Sequence, residues 1–455
     1  MFSRKKYLLL LAAALAASSA VEAQVEPSDL PEWDAPARIV AGVAEPALRG
    51  LLVEILERNP ELAAADARAS AALHRAPQAR ALPNPMASLT GFVEPPETRT
   101  GPQEIAVGFS QAIPWFGKLA LGERAALEEA ESLRAEAAAI RLELVTEARR
   151  LFQELRYLDR RRVIGEELRD HFSQHEEIAR ARYSTGAGHG QGVVKLQAEI
   201  TMAEKDLLAI RRHRISLEAR LNELRDRPAL TPILAEAAAG VSEIERLDLE
   251  LETLIETAIR LRPELFAAAA RIRQAATRRE LAELSRRPDF SVGLSYTVVD
   301  SRRDLPGRLQ PPAGNGDDIV ALLGSVSLPI RRKSIHAKVE EAQQHEAAVA
   351  QSLRARQAEI AAEIGDLAQR LALDWRQLRL IEDLLVVQAE ESEESALAGY
   401  IAGTLNALEL LDAEHVRFEA HTALARARAN YLIGIAELEG AIGAPLERSK
   451  EAQRP

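Results

Sequence analysis

Residues 59–62 of this 455-residue chain read Asn-Pro-Glu-Leu, and residues 262–265 read Arg-Pro-Glu-Leu, 203 positions later. Further landmarks recur in the same order at spacings of 215 to 217: Pro114 and Pro329, Lys118 and Lys333, Tyr183-Ser184-Thr185-Gly186 and Tyr400-Ile401-Ala402-Gly403. Chance rarely preserves both the order and the spacing of such landmarks, so the sequence predicts an internal duplication. Each half is predicted to contain a helix, two strands and two very long helices.

The region before the first repeat predicts export. Residues 4–6 are basic, residues 7–17 are apolar, and small residues lead up to a cleavage site after Ala23, which together are typical of a secretory signal peptide. The apolar run is too short to cross a bilayer. The predicted segments are a signal peptide (1–23), an extended N-terminal arm (24–46), a first repeat (47–230), a linker (231–248), a second repeat (249–443) and a flexible tail (444–455).

Apolar residues at alternating steps of three and four predict the long helices 119–182, 190–226, 333–398 and 405–440. The apolar stripe includes Leu144, Ala148, Leu151 and Leu155 in the first of these helices, and Leu378, Ile381 and Leu385 in the third. The pattern at Val193, Leu196, Ile200, Ala203 and Leu207 has the 3.5-residue period of a coiled-coil seam. A helix of about 64 residues is ~95 Å long, so it must pack against other long helices along its length.

Strict alternation of apolar and small or polar residues predicts four strands at about 84–93, 103–113, 288–299 and 318–328. Their length suits tilted membrane-spanning strands, although a soluble sheet with one wet face shows the same alternation. Two hairpins cannot close a barrel, and lipid does not tolerate open sheet edges. If these strands enter a membrane, the chain must therefore oligomerise.

Composition excludes several kinds of function. The net charge of −11 disfavours nonspecific nucleic-acid binding, and the absence of cysteine excludes disulfides, thiol catalysis and lipid attachment to an N-terminal cysteine. The sequence contains no phosphate-binding glycine loop, no HExxH and no recognisable nucleophile motif, so we expect neither an enzyme nor a cofactor. His171 and His175 have i, i+4 spacing and could hold a metal, but no third ligand accompanies them, so no metal site is predicted.

In its motifs the chain resembles the TolC family of outer membrane efflux proteins over nearly all of its mature length. The resemblance rests on the duplication and on four stretches: NPEL with PNP in residues 59–85, SQAIPWFGKL in 110–119, YSTG in 183–186 and GYIAGTLNALELLDAE in 399–414. The SQAIPWFGKL motif and the acidic balance favour the branch of the family that works with heavy-metal pumps.

The resemblance implies a mainly α fold with a transmembrane β-barrel portion. In such a homotrimer, four strands from each protomer form a twelve-strand barrel in the outer membrane of a Gram-negative cell, and an α-helical tunnel extends into the periplasm. The implied partners are outer-membrane lipid, a periplasmic adaptor and an inner-membrane pump of the RND type. The implied function is an outer-membrane channel of a tripartite pump for metal ions or drugs. Two alternatives stay open: a periplasmic coiled-coil adaptor or scaffold, and the channel of a type I protein secretion system.

The resemblance also assigns candidate sites. Pro114, Gly117 and Lys118 in the first half, with Pro329 and Lys333 in the second, are expected at corners where a strand turns into a helix, because proline ends sheet pairing and permits a helix start. Tyr183, Gly186, Tyr400 and Gly403 are expected at the periplasmic tip turns, where glycine provides a positive φ.

The sharpest functional hypothesis concerns Glu409 and Asp412. They lie at positions where the family places acidic residues around the periplasmic aperture, and their i, i+3 spacing lets them share one helix face. Three copies would form two carboxylate rings that bind cations and repel anions. The alternative is a solvated acidic patch.

Overall fold

A computed structural model describes residues 35–186, 190–233, 244–247 and 249–446. The predicted signal peptide, arm residues 24–34, most of the linker and residues 447–455 lie outside the described residues. The described residues form two compact units: the first comprises residues 70–131 and 271–348, and the second comprises the remainder. Each unit draws on both repeats, because corresponding elements of the two halves pack with each other.

The helices are α1 (Ala35–Gly42), α2 (Pro46–Arg58), α3 (Pro60–Leu73), α4 (Arg75–Arg80), α5 (Lys118–Ser184), α6 (Gly190–Leu224), α7 (Leu251–Leu261), α8 (Pro263–Glu283), α9 (Leu305–Leu309), α10 (Arg332–Leu380), α11 (Val386–Ala402) and α12 (Ala407–Ile442). The strands are β1 (Met86–Gly91), β2 (Glu97–Thr98), β3 (Gly101–Ile113), β4 (Asp289–Val299) and β5 (Ile319–Ser327).

In the first unit, four antiparallel strands form one sheet in the order β1-β3-β4-β5, and the short strand β2 pairs with β3. The pairs β1–β3 and β4–β5 are the two hairpins, one from each repeat, and the β3–β4 pairing joins the halves. Within the described residues, the outer edges of β1 and β5 have no strand partner.

The register of the sheet aligns apolar residues of all four strands in rows on one face. Leu89 pairs with Val107, Val107 with Tyr296, and Tyr296 with Val320, while the next apolar row contains Ala87, Phe109, Leu294 and Leu322. The opposite face is mostly small and polar, as at the hydrogen-bonded pair Ser291 and Ser325, although Ile319 and Leu323 of β5 also lie on it. Leu89 is 76% exposed and Leu322 is 79% exposed, so the apolar face is open to its surroundings in the single chain.

In the second unit, the long helices bury the apolar stripes that the sequence predicted. Leu144, Ala148, Leu151 and Leu155 of α5 are buried, as are Leu196, Ala203, Ile210 and Leu221 of α6. One core cluster joins these helices to α1 and α2, and a second joins α7, α10, α11 and α12.

The predicted helix 333–398 is interrupted by a π-helical turn at Ile381–Leu385. The turn adds one residue to the helical repeat, so the buried position after Ile381 is Val386 rather than the predicted Leu385. Leu385 is 39% exposed, and its predicted place on the apolar stripe is therefore wrong.

The predicted extended arm is helical where it is described. Residues 35–42 form α1, because Ile39 and Val40 can bury their side chains in the first core cluster. The described residues of the linker contact the rest of the chain: Ile233 is buried, and the Glu245 carbonyl accepts a hydrogen bond from the Tyr431 hydroxyl. At the beginning of the tail, the Leu446 backbone amide donates to the Glu439 carboxylate.

Among the described helices, none combines the length and the apolarity that a membrane-spanning helix requires.

Candidate functional site

Glu409 lies in the first turn of α12 and takes part in a capping box. The Asn406 side chain accepts hydrogen bonds from the backbone amides of Leu408 and Glu409, at 2.8 and 3.1 Å. The Glu409 carboxylate in turn accepts from the Asn406 amide at 2.8 Å. These bonds satisfy amides that the first helical turn would otherwise leave unpaired. Glu409 therefore stabilises the start of α12 whether or not it has a second role.

Asp412 lies three residues further along α12, and its side chain is exposed. Its carboxylate forms no hydrogen bond or ion pair with any residue that the structure describes. The two acids therefore differ: Glu409 accepts a hydrogen bond from the backbone, whereas Asp412 is available to an external cation.

Gly186 and Gly403 end α5 and α11, and both have a φ of 75°. In this left-handed conformation, the Gly403 amide donates to the Tyr400 carbonyl and the Thr404 amide donates to the Gly399 carbonyl, which closes the end of the helix. The glycine conformations agree with the expectation from the sequence. Their place at the tip of a channel stays a prediction.

The two tyrosines of the turns have different surroundings. Tyr400 is buried with Ala396, Leu410 and Ala413, whereas Tyr183 is 57% exposed. The guanidinium of Arg182, at the end of α5, lies 4.5 Å from the centre of the Tyr400 ring. This cation–π contact links the helix ends of the two repeats. Sequence reasoning did not identify Arg182.

At the first strand–helix corner, Pro114 follows β3 and Gly117 has a φ of 90° immediately before α5. Asp289, at the start of β4, accepts from the Trp115 amide and from the Lys118 ammonium, each at 2.7 Å. Lys118 thus ties the beginning of α5 to the strand of the other repeat.

The second corner has a different conformation. After Pro329, the Ile330 amide donates to the Leu328 carbonyl and the Arg332 amide donates to Ile330. No residue of this corner has a positive φ. Lys333 lies in the first turn of α10 and is exposed. The conformation follows the sequence, because Arg331 and Arg332 stand where the first corner has Phe116 and Gly117.

The structure adds a third group to the histidine pair of α5. Glu414 of α12 contacts His175 and lies near His171, although it is 239 positions from His175 in the sequence. Local sequence spacing therefore cannot identify Glu414 as a neighbour of the two histidines.

Comparison with protein families identifies the chain. A sequence model of the family described as outer membrane efflux protein matches residues 51–225 and 254–444, which is most of the chain and covers both repeats. The chain belongs to the outer membrane efflux protein family. The resemblance found in the sequence motifs is confirmed, and the family is one of channels rather than enzymes. No sequence among the curated proteins matches the chain significantly.

Solved structures show that this efflux protein has the fold of known outer-membrane channels. The outer membrane protein VceC of Vibrio cholerae is 21% identical, with a TM-score of 0.70 over 88% of this chain and 97% of VceC. The outer membrane channel MtrE of Neisseria gonorrhoeae, solved in an open state, is 20% identical, with a TM-score of 0.69 over 89% and 91% of the two chains. The outer membrane channel CmeC of Campylobacter jejuni is 16% identical, with a TM-score of 0.72 over 95% and 92%.

These matches confirm the predicted fold class and the general function of an outer-membrane efflux channel.

Proposed function

We propose that three copies of this efflux protein assemble into one outer-membrane channel of a tripartite pump. One observation carries the proposal: the four-stranded sheet exposes a continuous apolar face and ends in two unpaired edges within the described residues. In hydrocarbon, each unpaired backbone group costs several kcal/mol, so such a sheet is stable only when its edges are closed.

Channels of the outer membrane efflux protein family are trimers, and three copies of this sheet would leave no open edge. The outer edge of β5 in one protomer pairs with the outer edge of β1 in the next, and the twelve strands form one barrel. Strands β4 and β5 contain eleven and nine residues, which suits a tilted crossing of the bilayer. The apolar face then contacts lipid, while the face with Ser291 and Ser325 lines the lumen.

Purification in detergent tests the assembly. We expect the mature protein to require detergent for extraction, to have the mass of a trimer by light scattering, and to conduct ions in a planar bilayer. A monomer that stays in solution without detergent would instead support a periplasmic adaptor or scaffold.

Within this channel, we propose that Asp412 provides the cation-binding ring of the periplasmic aperture and that Glu409 adds charge to it. The exposure of both side chains at the start of α12 supports the assignment. Because Glu409 also caps the helix, its replacement by alanine would remove the charge and the cap at the same time. Glu409→Gln removes the charge and keeps a side chain suited to the capping box.

The gate is tested by single-channel recording of the double variant Glu409→Gln, Asp412→Asn. We expect a changed conductance and a weaker block by multivalent cations, because the variant lacks the carboxylate charges of the aperture. Glu419→Gln, an exposed acid further along α12, is the matched control and should behave as the unmodified channel. Unchanged conductance together with unchanged cation block in the double variant would remove the gate from the proposal.

The helix tips are the proposed contact with a periplasmic adaptor and an RND-type inner-membrane pump. Ile401, beside the second tip turn, is 74% exposed. Because the chain has no cysteine, Ile401→Cys provides a unique site for crosslinking. The pump captured there decides between metal ions and drugs as the exported substrate, and between efflux and protein secretion.

A further inference from the structure

His171, His175 and Glu414 converge from two helices that belong to different repeats. His171 and His175 lie one turn apart on α5, and Glu414 lies on α12. The distance from His175 Nε2 to Glu414 Oε1 is 2.7 Å, and that from His171 Nδ1 to the same oxygen is 3.7 Å. One ligand atom from each residue lies within 4.8 Å of the other two.

Glu414 is buried, the two histidines are partly buried, and two polar atoms of the cluster lack a partner among the described residues. The Glu414 side chain is only 3% exposed, and that of His175 is 17% exposed. Glu414 Oε2 and His175 Nδ1 are both buried, and neither has a hydrogen-bond partner among the described residues. Leaving a buried polar group unpaired costs about 1–3 kcal/mol, and more when the group is charged. The hydrogen bond between His175 and Glu414 therefore does not account for the whole arrangement.

We propose that His171, His175 and Glu414 form a binding site for one divalent transition-metal ion such as Zn²⁺. Two imidazoles and one carboxylate are an established zinc donor set. Imidazole nitrogen also selects against magnesium and calcium, which prefer oxygen ligands.

One donor atom from each of the three residues lies near the separation that this ion requires, and all three lie within 4.8 Å of one another. With bonds of 2.0–2.1 Å, tetrahedral ligands lie ~3.3 Å from one another. The observed separations of 2.7 and 3.7 Å lie on either side of that value. His171 is 39% exposed, so the site is accessible from outside.

Aromatic and apolar residues pack beside the site without competing for an ion. The Phe418 ring meets His171 edge to face at 5.5 Å, and the buried Phe172 packs with Leu196 and Leu411. His415, the residue after Glu414, instead faces Glu199 at 3.6 Å. The apolar surroundings raise the strength of a charge interaction at the site.

A bound ion would crosslink α5 to α12 close to the start of α12. Glu414 follows Asp412 by two residues, so the ion would fix the helix that carries the proposed gate. This consequence rests on the proposed channel function, but the binding of the ion does not.

The test is titration of the metal-free, detergent-purified protein with Zn²⁺ by calorimetry, accompanied by its thermal unfolding midpoint. We expect one Zn²⁺ per chain and a rise in the midpoint, because a ligand of the folded state stabilises that state. Mg²⁺ should bind at no such stoichiometric site. His171→Ala and Glu414→Gln should each weaken Zn²⁺ binding at least about tenfold.

His421→Ala is the matched control, since His421 lies on the same helix and pairs with Glu390 instead. It should leave the Zn²⁺ affinity unchanged. Absence of stoichiometric binding, or equal binding by all the variants, would overturn the proposal. If Glu414→Gln fails to fold, the partly exposed His171→Ala decides alone. Conductance plays no part in this test, so a negative result leaves the channel proposal standing.

Discussion

The helices of this efflux protein bury their apolar residues, whereas the sheet exposes them. In the second unit, called the helical unit below, α5, α6 and α10 bury their apolar stripes in core clusters formed by residues of this chain alone. In the sheet, the apolar rows of β1, β3, β4 and β5 share one face that the chain leaves uncovered. The helices need only this chain for their core, whereas the sheet, in the proposed channel, is completed by lipid and by further strands.

The comparison separates two sources of stability. Burial inside the chain stabilises the helical unit in any aqueous compartment. In the proposed channel, the sheet gains its stability where lipid covers one face and neighbouring protomers cover the edges. A substitution in the sheet should therefore affect insertion, and one in the helical core should affect unfolding.

The largest effect is expected from Leu322→Arg, in the middle of the apolar face. An arginine near the bilayer midplane costs about 2–4 kcal/mol on the lipid face of a barrel, and a trimer carries that cost three times. We expect loss of the trimer from outer-membrane fractions and failure to insert into lipid vesicles, measured by flotation.

Ala321→Arg is the matched control at nearly the same depth, because adjacent strand residues face opposite sides of the sheet. It should insert, since the proposed lumen accepts charge. Equal insertion of both variants would show that the apolar face does not meet lipid.

The helical side of the comparison is tested by Leu371→Ala. Leu371 of α10 is 1% exposed, and truncation at such a site costs about 2–5 kcal/mol through lost burial and the remaining cavity. The thermal midpoint of the detergent-purified protein should fall. Leu373→Ala, two residues away and 60% exposed, should change the stability by less than about 0.5 kcal/mol. Equal losses would mean that burial within one chain does not set the stability of the helical unit.

Much of this division was predictable from the sequence, because both patterns are local. Alternation with a period of two locates β4, and steps of three and four locate the stripe from Leu144 to Leu155. Positive φ at Gly186 and Gly403 also follows from the need to reverse a helix in a short turn. The aperture role of Asp412 stays a prediction that no contact of the single chain decides.

Other features depend on contacts that local patterns do not contain. The π-helical turn shifts burial from Leu385 to Val386, although regular spacing favours Leu385. Glu414 reaches His175 only because α5 and α12 pack together. The absence of a third ligand near the histidines in sequence therefore said nothing about the folded chain.

The smallest effect on stability is expected from a buried ion pair in the helical unit. Arg262, in the motif that opens the second repeat, is 8% exposed and bonds Glu264 at 2.7 Å and Glu363 at 2.9 Å. Burial alone raises the pKa of Glu264, but the hydrogen bond and charge of Arg262 outweigh it, so the pKa lies below its ordinary value of 4.5. A lowered pKa in the folded state means that the ionised carboxylate stabilises the fold above the ordinary value. That contribution is lost as the pH falls through the lowered value.

Glu264→Gln should therefore be less stable than the unmodified protein at pH 7, by about 1–3 kcal/mol for a hydrogen bond to a charged group. The difference should shrink as the pH falls below 4.5, because protonation removes the same charge from the unmodified protein. Thermal midpoints measured at a series of pH values check this. Glu359→Gln is the control: its side chain is 64% exposed, and its pair with Arg356 should contribute less than about 0.5 kcal/mol at any pH. A gap for Glu264→Gln that does not change with pH would show that the shape of the side chain, rather than its charge, stabilises the beginning of the second repeat.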